Sequence, residues 1–291
     1  MKFAVMSDIH IVAWDEESHV RFSRALDDYL SLEEPPDYIV LNGDLTDGHE
    51  EDYKALHELL HRRELLPPVF VTNGNHEFYS MWHNSKREMV KETFPNGGST
   101  EQAMALFTTE MGLSCSYYDA WVDGYHLIFL SGEVYRDRMP DIGEDAWISE
   151  EQFMWLSRVL MPHREMGQEQ PLFVFLHQPL PNTVAGSFCP TERGVVQHQR
   201  LKSLLEQYPQ IIFFSGHTHV ELSASSIYKE DIIGYMGTSS VRRPYCEDLY
   251  PIDGPASESV WVEVGLGKVV LQGRRHDTQV WMENVRFERK Y

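Results

Sequence analysis

The sequence predicts an α/β protein whose functional residues gather at the carboxyl ends of parallel strands. Three observations carry this. "KFAVM" (2–6), "DYIVLN" (37–42) and "PVFVT" (68–72) are short, apolar, strand-like runs. Helical patterns at about 19–32 and 51–64 separate them, the second with Tyr53, Leu56, Leu59 and Leu60 on one stripe. Each apolar run gives way to polar, chemistry-bearing residues, and ligands of open parallel sheets collect at such strand ends. Strand, helix, strand, helix, strand implies crossover connections and parallel pairing.

Further along, residues 80–112 are irregular and include "PNGGST", which reads as a surface insertion with one or two short helices. "YHLIFLS" (125–131) resumes strand character, and "SEEQFMWLSRVL" (149–160) opens with a Ser149-x-x-Gln152 capping box before an amphipathic helix. "PLFVFL" (171–176) and "QIIFFS" (210–215) are two more buried strands, with a helix expected at 197–207. Over 220–291, "IIGYMG", "VWVEVGLGKVVLQG" and "QVWMENVRFERK" predict hairpins in an antiparallel region. With no repeat, low-complexity tract or linker, residues 1–291 are expected to form one domain.

Lys and Arg number 25 against 45 Asp and Glu, a formal charge of −20. Such a surface repels a phosphate backbone and argues against tight nucleic-acid binding. An anionic substrate then needs a strong local positive field, for which bound metal ions are the obvious source. Cys115, Cys189 and Cys246 stand far apart with no C-x-x-C pair, which suits a reducing compartment. The opening "MKFAVMSDIH" is too short for a secretory signal, and no apolar run approaches a membrane span. A cytoplasmic location without membrane contact is expected.

Five apparent strand ends carry Asp8-x-His10, Gly43-Asp44, Asn75-His76, His177 and Gly216-His217-x-His219. Imidazole, carboxylate and amide oxygen suit Zn, Mn or Fe, and the lack of thiolate disfavours a structural cysteine-zinc site. Asp8, His10, Asp44, Asn75, His177, His217 and His219 are too many ligands for one tetrahedral ion and reasonable for two. A carboxylate can bridge a pair, and Asp44, from the middle of the set, is the candidate. Two ions roughly 3.5–4 Å apart clamp both the attacking and leaving oxygens of a phosphoryl displacement.

"SDIH", "NGD", "GNHE", "LHQP" and "GHTH" fall in order between residues 7 and 219, and this five-part signature resembles that of the calcineurin-like metallophosphoesterases. The resemblance implies a four-layer α-β-β-α sandwich of two mixed sheets, with a dinuclear metal site at the strand ends. It implies Asp8, His10 and His219 as ligands of one ion, Asn75, His177 and His217 as ligands of the other, and Asp44 bridging. His76 is similar to the family histidine that contacts the phosphate and protonates the leaving group; Glu77 is expected to orient its imidazole. The glycines at 43, 74 and 216 are expected to let the backbone bend enough to aim these side chains. The implied reaction is hydrolysis of a phosphoester by in-line attack of a hydroxide bridging the ions.

"GDLTDG" lacks the Arg usual at this point in protein Ser/Thr phosphatases. "SDIH", "GDLTDG", "GNHE" and "GHTH" together are more similar to the small-molecule branch, which includes class III cyclic-nucleotide phosphodiesterases and glycerophosphodiesterases. The implied partner is a small phosphodiester or phosphomonoester, the diester preferred. Gln178, in His177-Gln178-Pro179, departs from the second His that many of that branch carry. A nuclease of the same superfamily is the same-class alternative, against which the acidity counts. A non-catalytic metal-binding scaffold is the other, against which the complete ligand set counts.

Some signals point elsewhere. "HELLH" (57–61) fits the H-E-x-x-H pattern of zinc proteases but lies on a crossover helix away from the strand ends, and reads as coincidence. Trp14, Tyr79 and Trp82 are placed to line a substrate cleft or simply to pack, and Arg193, Arg242 and Arg243 lie in loops that could reach a phosphate. The acidic runs "DEES" (15–18) and "HEED" (49–52) read as solvated helix starts that suit the macrodipole.

Overall fold

The computed structural model describes residues 1–165, 170–187 and 194–291. The strands are β1 (Lys2–Met6), β2 (Tyr38–Asn42), β3 (Val69–Thr72), β4 (Tyr118–Val122), β5 (Tyr125–Phe129), β6 (Leu172–Phe175), β7 (Ile211–Ser215), β8 (Tyr228–Glu230), β9 (Gly234–Gly237), β10 (Glu258–Gly265), β11 (Lys268–Arg275) and β12 (Val280–Lys290). The helices are α1 (Glu16–Leu30), α2 (Glu50–His61), α3 (Thr100–Glu110), α4 (Glu150–Leu160), α5 (Pro162–Glu165) and α6 (His198–Leu205), with a 3₁₀ turn at His76–Trp82. Two six-stranded sheets form, in the orders β12-β11-β10-β1-β2-β3 and β4-β5-β6-β7-β9-β8.

Strand alternation builds the layers. Phe3, Val5, Tyr38 and Val40 of the first sheet meet Phe173, Phe175, Ile212 and Phe214 of the second in one buried core. The intervening residues turn outward: Ala4, Met6, Ile39 and Leu41 pack on Phe22 and Leu26 of α1 and on Tyr53 and Leu56 of α2. On the other side Leu172, Val174, Ile211 and Phe213 pack on Phe153 and Leu156 of α4 and Leu201 of α6. Both faces of the central strands are therefore apolar, which explains why their sequences read as continuous runs. Each fully buried side chain of this size contributes about 1.5–3 kcal/mol. The result is the expected four-layer arrangement of two mixed sheets, in which β1, β2 and β3 run parallel and β5, β6, β7 and β9 run parallel.

Some elements differ from expectation. α1 begins three residues before 19 because the Asp15 carboxylate caps the Glu17 amide. β4 escapes the sequence pattern because it is a half-exposed edge strand, paired antiparallel to β5 alone. The region after 220 is antiparallel in β10, β11 and β12, but β9, within "IIGYMG", pairs parallel with β7 as well as antiparallel with β8. The Ser149 hydroxyl caps the Gln152 amide as expected; the return half of the box is replaced, since Glu133 accepts the Ser149 N–H at 2.6 Å. In "HEED" Asp52 is not solvated: it is buried and accepts from the Ala13 amide at 2.9 Å.

Candidate metal centre

Residues just beyond β1, β2 and β3 of one sheet meet those beyond β6 and β7 of the other. The Asp8 amide donates to Gly43 O (3.1 Å), the His10 amide to Asp44 O (3.0 Å), and the Gly216 amide to His177 O (2.9 Å). The Asp8 carboxylate then accepts the His217 amide at 3.1 Å, joining the two sheets at the site. The bends are not made chiefly by glycine. Asp8 (φ 52°), His10 (44°), Asp44 (51°), His217 (67°) and His219 (57°) all adopt left-handed backbone, and among the three glycines only Gly43 (81°) does. Gly74 serves close approach instead: a Cβ there would lie 2.2 Å from Asp44 Oδ1.

The side chains form three adjoining donor groups. Asp8, His10, Asp44 and His219 bring ligand atoms within 4.8 Å of one another, as do Asp44, His177 and His217, so Asp44 belongs to both; His10, Asp47 and His76 form the third, which His10 shares with the first. His219 Nε2 lies 2.9 Å from Asp8 Oδ1, and His177 Nε2 lies 3.0 Å from Asp44 Oδ2. His10 Nε2 lies 3.9 Å from Asp44 Oδ2. Backbone carbonyls fix two of the tautomers. His177 Nδ1 donates to Asn42 O at 2.8 Å and His219 Nδ1 to Arg243 O at 2.9 Å, which turns each Nε2 inward. Asn75 lines the same cleft as Asp44 and His217, with its Oδ1 buried and given no hydrogen bond among the described residues.

Electrostatics follow from burial and crowding. Burial pushes the Asp8 carboxyl up, but His219 and His177 outweigh it and hold it at about 2. Asp44 is likewise held well below the carboxylate range, His177 and His76 overcoming its burial. His177 rises to about 10 because Asp44 and Asp8 outweigh its desolvation, whereas burial and the neighbouring His76 drive His10 down to about 3. Buried carboxylates, inward imidazole nitrogens and an orphaned amide oxygen make a donor set that fits divalent cations of the Mn, Fe and Zn kind.

His76, in the third group, has its Nε2 4.0 Å from Asp44 Oδ2. Its Nδ1 pairs with Asp47 Oδ1 at 2.8 Å, and its ring stacks on Tyr79 with centroids 3.7 Å apart. Desolvation opposes protonation, yet Asp44 and Asp47 raise the imidazole to about 9. Asp47, not Glu77, therefore orients His76. Glu77 is fully buried and accepts the amides of Leu45 (2.8 Å), Thr46 (3.1 Å) and Gly74 (2.5 Å), which ties the β2 and β3 loops together. The available signal for Asp47 was its place in "GDLTDG", three residues after Asp44.

A cleft of about 360 Å³ opens over the centre, lined by Tyr79, Glu144, Arg242, Arg243 and Tyr245 besides the residues above. Arg242 is bound to Asp15 at 2.9 Å, while Arg243 is exposed at the rim. Tyr79 thus lines the cleft, but Trp14 and Trp82 do not. Trp14 is exposed under the Arg87 guanidinium, and Trp82 packs on Phe94 and Tyr135. Arg193 lies outside the described residues. Gln178 is buried, and its Nε2 donates to Glu144 O at 3.2 Å.

Two further arrangements resemble sites without being placed to act. His57, on α2, faces Glu110 at 3.3 Å, and the exposed His61 bonds back to His57 O. Neither belongs to a donor group among the described residues. His57→Ala and His61→Ala are accordingly expected to leave divalent-cation uptake within about twofold of wild type; loss of an ion from either folded variant would restore the protease-like reading. Ser259, His276 and Asp28 are linked at 2.8 Å in a hydroxyl-imidazole-carboxylate chain, but all are 0% exposed, so no substrate reaches them.

Comparison with known proteins extends these findings. The family model for calcineurin-like phosphoesterases matches residues 1–221. A purple acid phosphatase from yellow lupin (Lupinus luteus) seeds superposes with a TM-score of 0.67 at 11% identity, covering 100% of this chain and 53% of its own. This chain thus spans about half the length of that protein, and the likeness is one of fold. A phosphopantetheinyl hydrolase from Mycobacterium tuberculosis superposes with a TM-score of 0.49 at 15% identity, over 83% of this chain and 90% of its own. Comparison with curated proteins gives no significant match. Among the described residues no helix is long and apolar enough to cross a membrane. With the ordered motifs, the two-sheet fold and a match over most of its length, the chain belongs to the calcineurin-like phosphoesterase family.

Proposed function

We propose that the chain is a dinuclear metal-dependent hydrolase of small phosphoesters, with phosphodiesters preferred over phosphomonoesters. The observation that carries this reading is the double membership of Asp44, a buried carboxylate common to two donor groups beneath an open cleft. In it Asp8, His10 and His219 would hold one ion, Asn75, His177 and His217 would hold the other, and Asp44 would serve both. Two such ions, when bound, supply Lewis-acid stabilisation of the phosphoryl charge and lower the pKa of water. The chain's own residues do the rest. His76 keeps a proton at Nε2 for the departing oxygen, and Asp47 holds the ring by its Nδ1. Arg243 offers a cation at the rim for a phosphate oxygen, and the stacked Tyr79 restricts the His76 ring. The net charge of −20 and the small cleft support a small substrate over a polyanion. A cytoplasmic setting is part of the proposal, supported by the free thiols of Cys115 and Cys246.

The test is a panel of aryl phosphomonoesters and phosphodiesters, cyclic nucleotides, glycerophosphodiesters, a phosphopeptide and duplex DNA, run on metal-loaded protein. The aryl diester should be hydrolysed, with modest salt dependence, because the attraction acts at contact distance where salt screens least. Efficient cleavage of phosphopeptide or DNA, with the diester untouched, overturns the substrate class.

A further inference from the structure

Glu144, in the loop before α4, received no role from the sequence, yet three side chains converge on it. Asn75 Nδ2 donates to Oε2 at 3.0 Å, Tyr135 Oη donates at 3.0 Å, and Arg136 Nη2 donates to Oε1 at 2.9 Å. Tyr135 is itself held, since its hydroxyl accepts the Trp82 indole N–H at 2.9 Å and its ring stacks on Phe78 at 5.1 Å. Gln178 adds a bond from its side-chain amide to the Glu144 carbonyl at 3.2 Å. The carboxylate is thereby fixed from several directions.

An Asn amide is nearly symmetric in shape, so its orientation is decided by its partners. The Glu144 oxygens, already accepting from Arg136 and Tyr135, offer Asn75 an acceptor and therefore select the orientation that gives them the nitrogen. That choice aims the Asn75 oxygen, buried and without a hydrogen bond, away from Glu144. We infer that Glu144 is a positioning residue that locks the Asn75 amide with its oxygen toward the second donor group, and so sets that site's affinity for a divalent cation. This inference rests on the dinuclear reading above. Glu144 itself is not a ligand in it: its carboxylate is taken by Arg136, Tyr135 and Asn75. Outer partners of this kind typically account for 10- to 100-fold in metal affinity.

The discriminating variant is Glu144→Gln, which keeps the shape but can offer an N–H₂ to Asn75 and so accepts either amide orientation. Full-length protein is stripped with chelator and titrated with Mn²⁺ by calorimetry, and the metal-free melting temperature is recorded in parallel. Wild type is expected to take up two ions. E144Q should keep one at wild-type affinity and bind the other 10- to 100-fold more weakly. Asn75→Ala should weaken the same ion, and the double variant should be no worse than Asn75→Ala alone, because the two changes remove one interaction. Full affinity for both ions in E144Q overturns the assignment. So does an additive double variant, or equal weakening of both ions with a lowered melting temperature, which would mark a merely structural role. Uptake of fewer than two ions by wild type overturns the dinuclear reading, and the role of Glu144 with it.

Discussion

Asp44→Asn is expected to lose bound metal and nearly all turnover. Asp44 joins the donor group of Asp8, His10 and His219 to that of His177 and His217, it is 1% exposed, and its Oδ1 also accepts the His76 amide at 2.9 Å. Asn keeps the size and one acceptor oxygen but brings no charge, and its nitrogen cannot serve as a ligand. The change also strips a buried cluster of the negative charge that raises both His177 and His76. Each ion is worth several kcal/mol of charge stabilisation, so losing one should cost on the order of 10²–10⁴ in rate, and losing both more. Metal analysis beside an aryl-diester assay reads both effects. Two bound ions with wild-type turnover would falsify the shared role of Asp44.

His76→Ala should separate from this pattern by keeping its metal. Its Nδ1 is committed to Asp47 and its Nε2 stays 4.0 Å from Asp44, so it enters only the donor group with His10 and Asp47 and neither of the two that share Asp44. In the metal-free protein Asp44 and Asp47 outweigh desolvation and raise this imidazole to about 9, and the Asp47 pairing at Nδ1 leaves Nε2 to face the cleft. The expected loss is about 10²–10⁴-fold, the usual range for a general acid. It should shrink for nitrophenyl esters, whose leaving group needs little protonation, and stay large for alkyl esters. Equal losses across leaving groups would reduce His76 to substrate binding.

Much of this was legible because the central strands are apolar on both faces. β1, β2, β3, β6 and β7 appear within one residue of the runs that announce them. The residue types after those runs gave the donor set, because carboxylates and imidazoles at five strand ends have few other uses. What stayed hidden depends on contacts distant in sequence. Glu144 sits 69 positions from Asn75, in an acidic loop with no periodic pattern. β4 is half-exposed, and the parallel pairing of β9 is set by β7 rather than by its own residues. Glu77 misled because adjacency was taken for contact. On the 3₁₀ turn its side chain enters the interior toward Leu45, Thr46 and Gly74, while that of His76 faces the cleft.

The left-handed backbone at Asp8, His10, Asp44, His217 and His219 bears on how this chain can change over generations. Outside glycine, such a conformation is tolerated best by Asp, Asn and His, and poorly by bulky or β-branched residues. The short menu that satisfies the main chain therefore overlaps the menu of metal ligands. A lineage that abandoned the chemistry could drift from Asp to Asn, or from His to Asn or Gly, and keep its architecture. Drift to Val or Ile at the same places would threaten folding before any question of turnover arose. Selection for shape alone would thus keep these five positions close to metal-binding composition, and a dormant site of this design would need few changes to be revived.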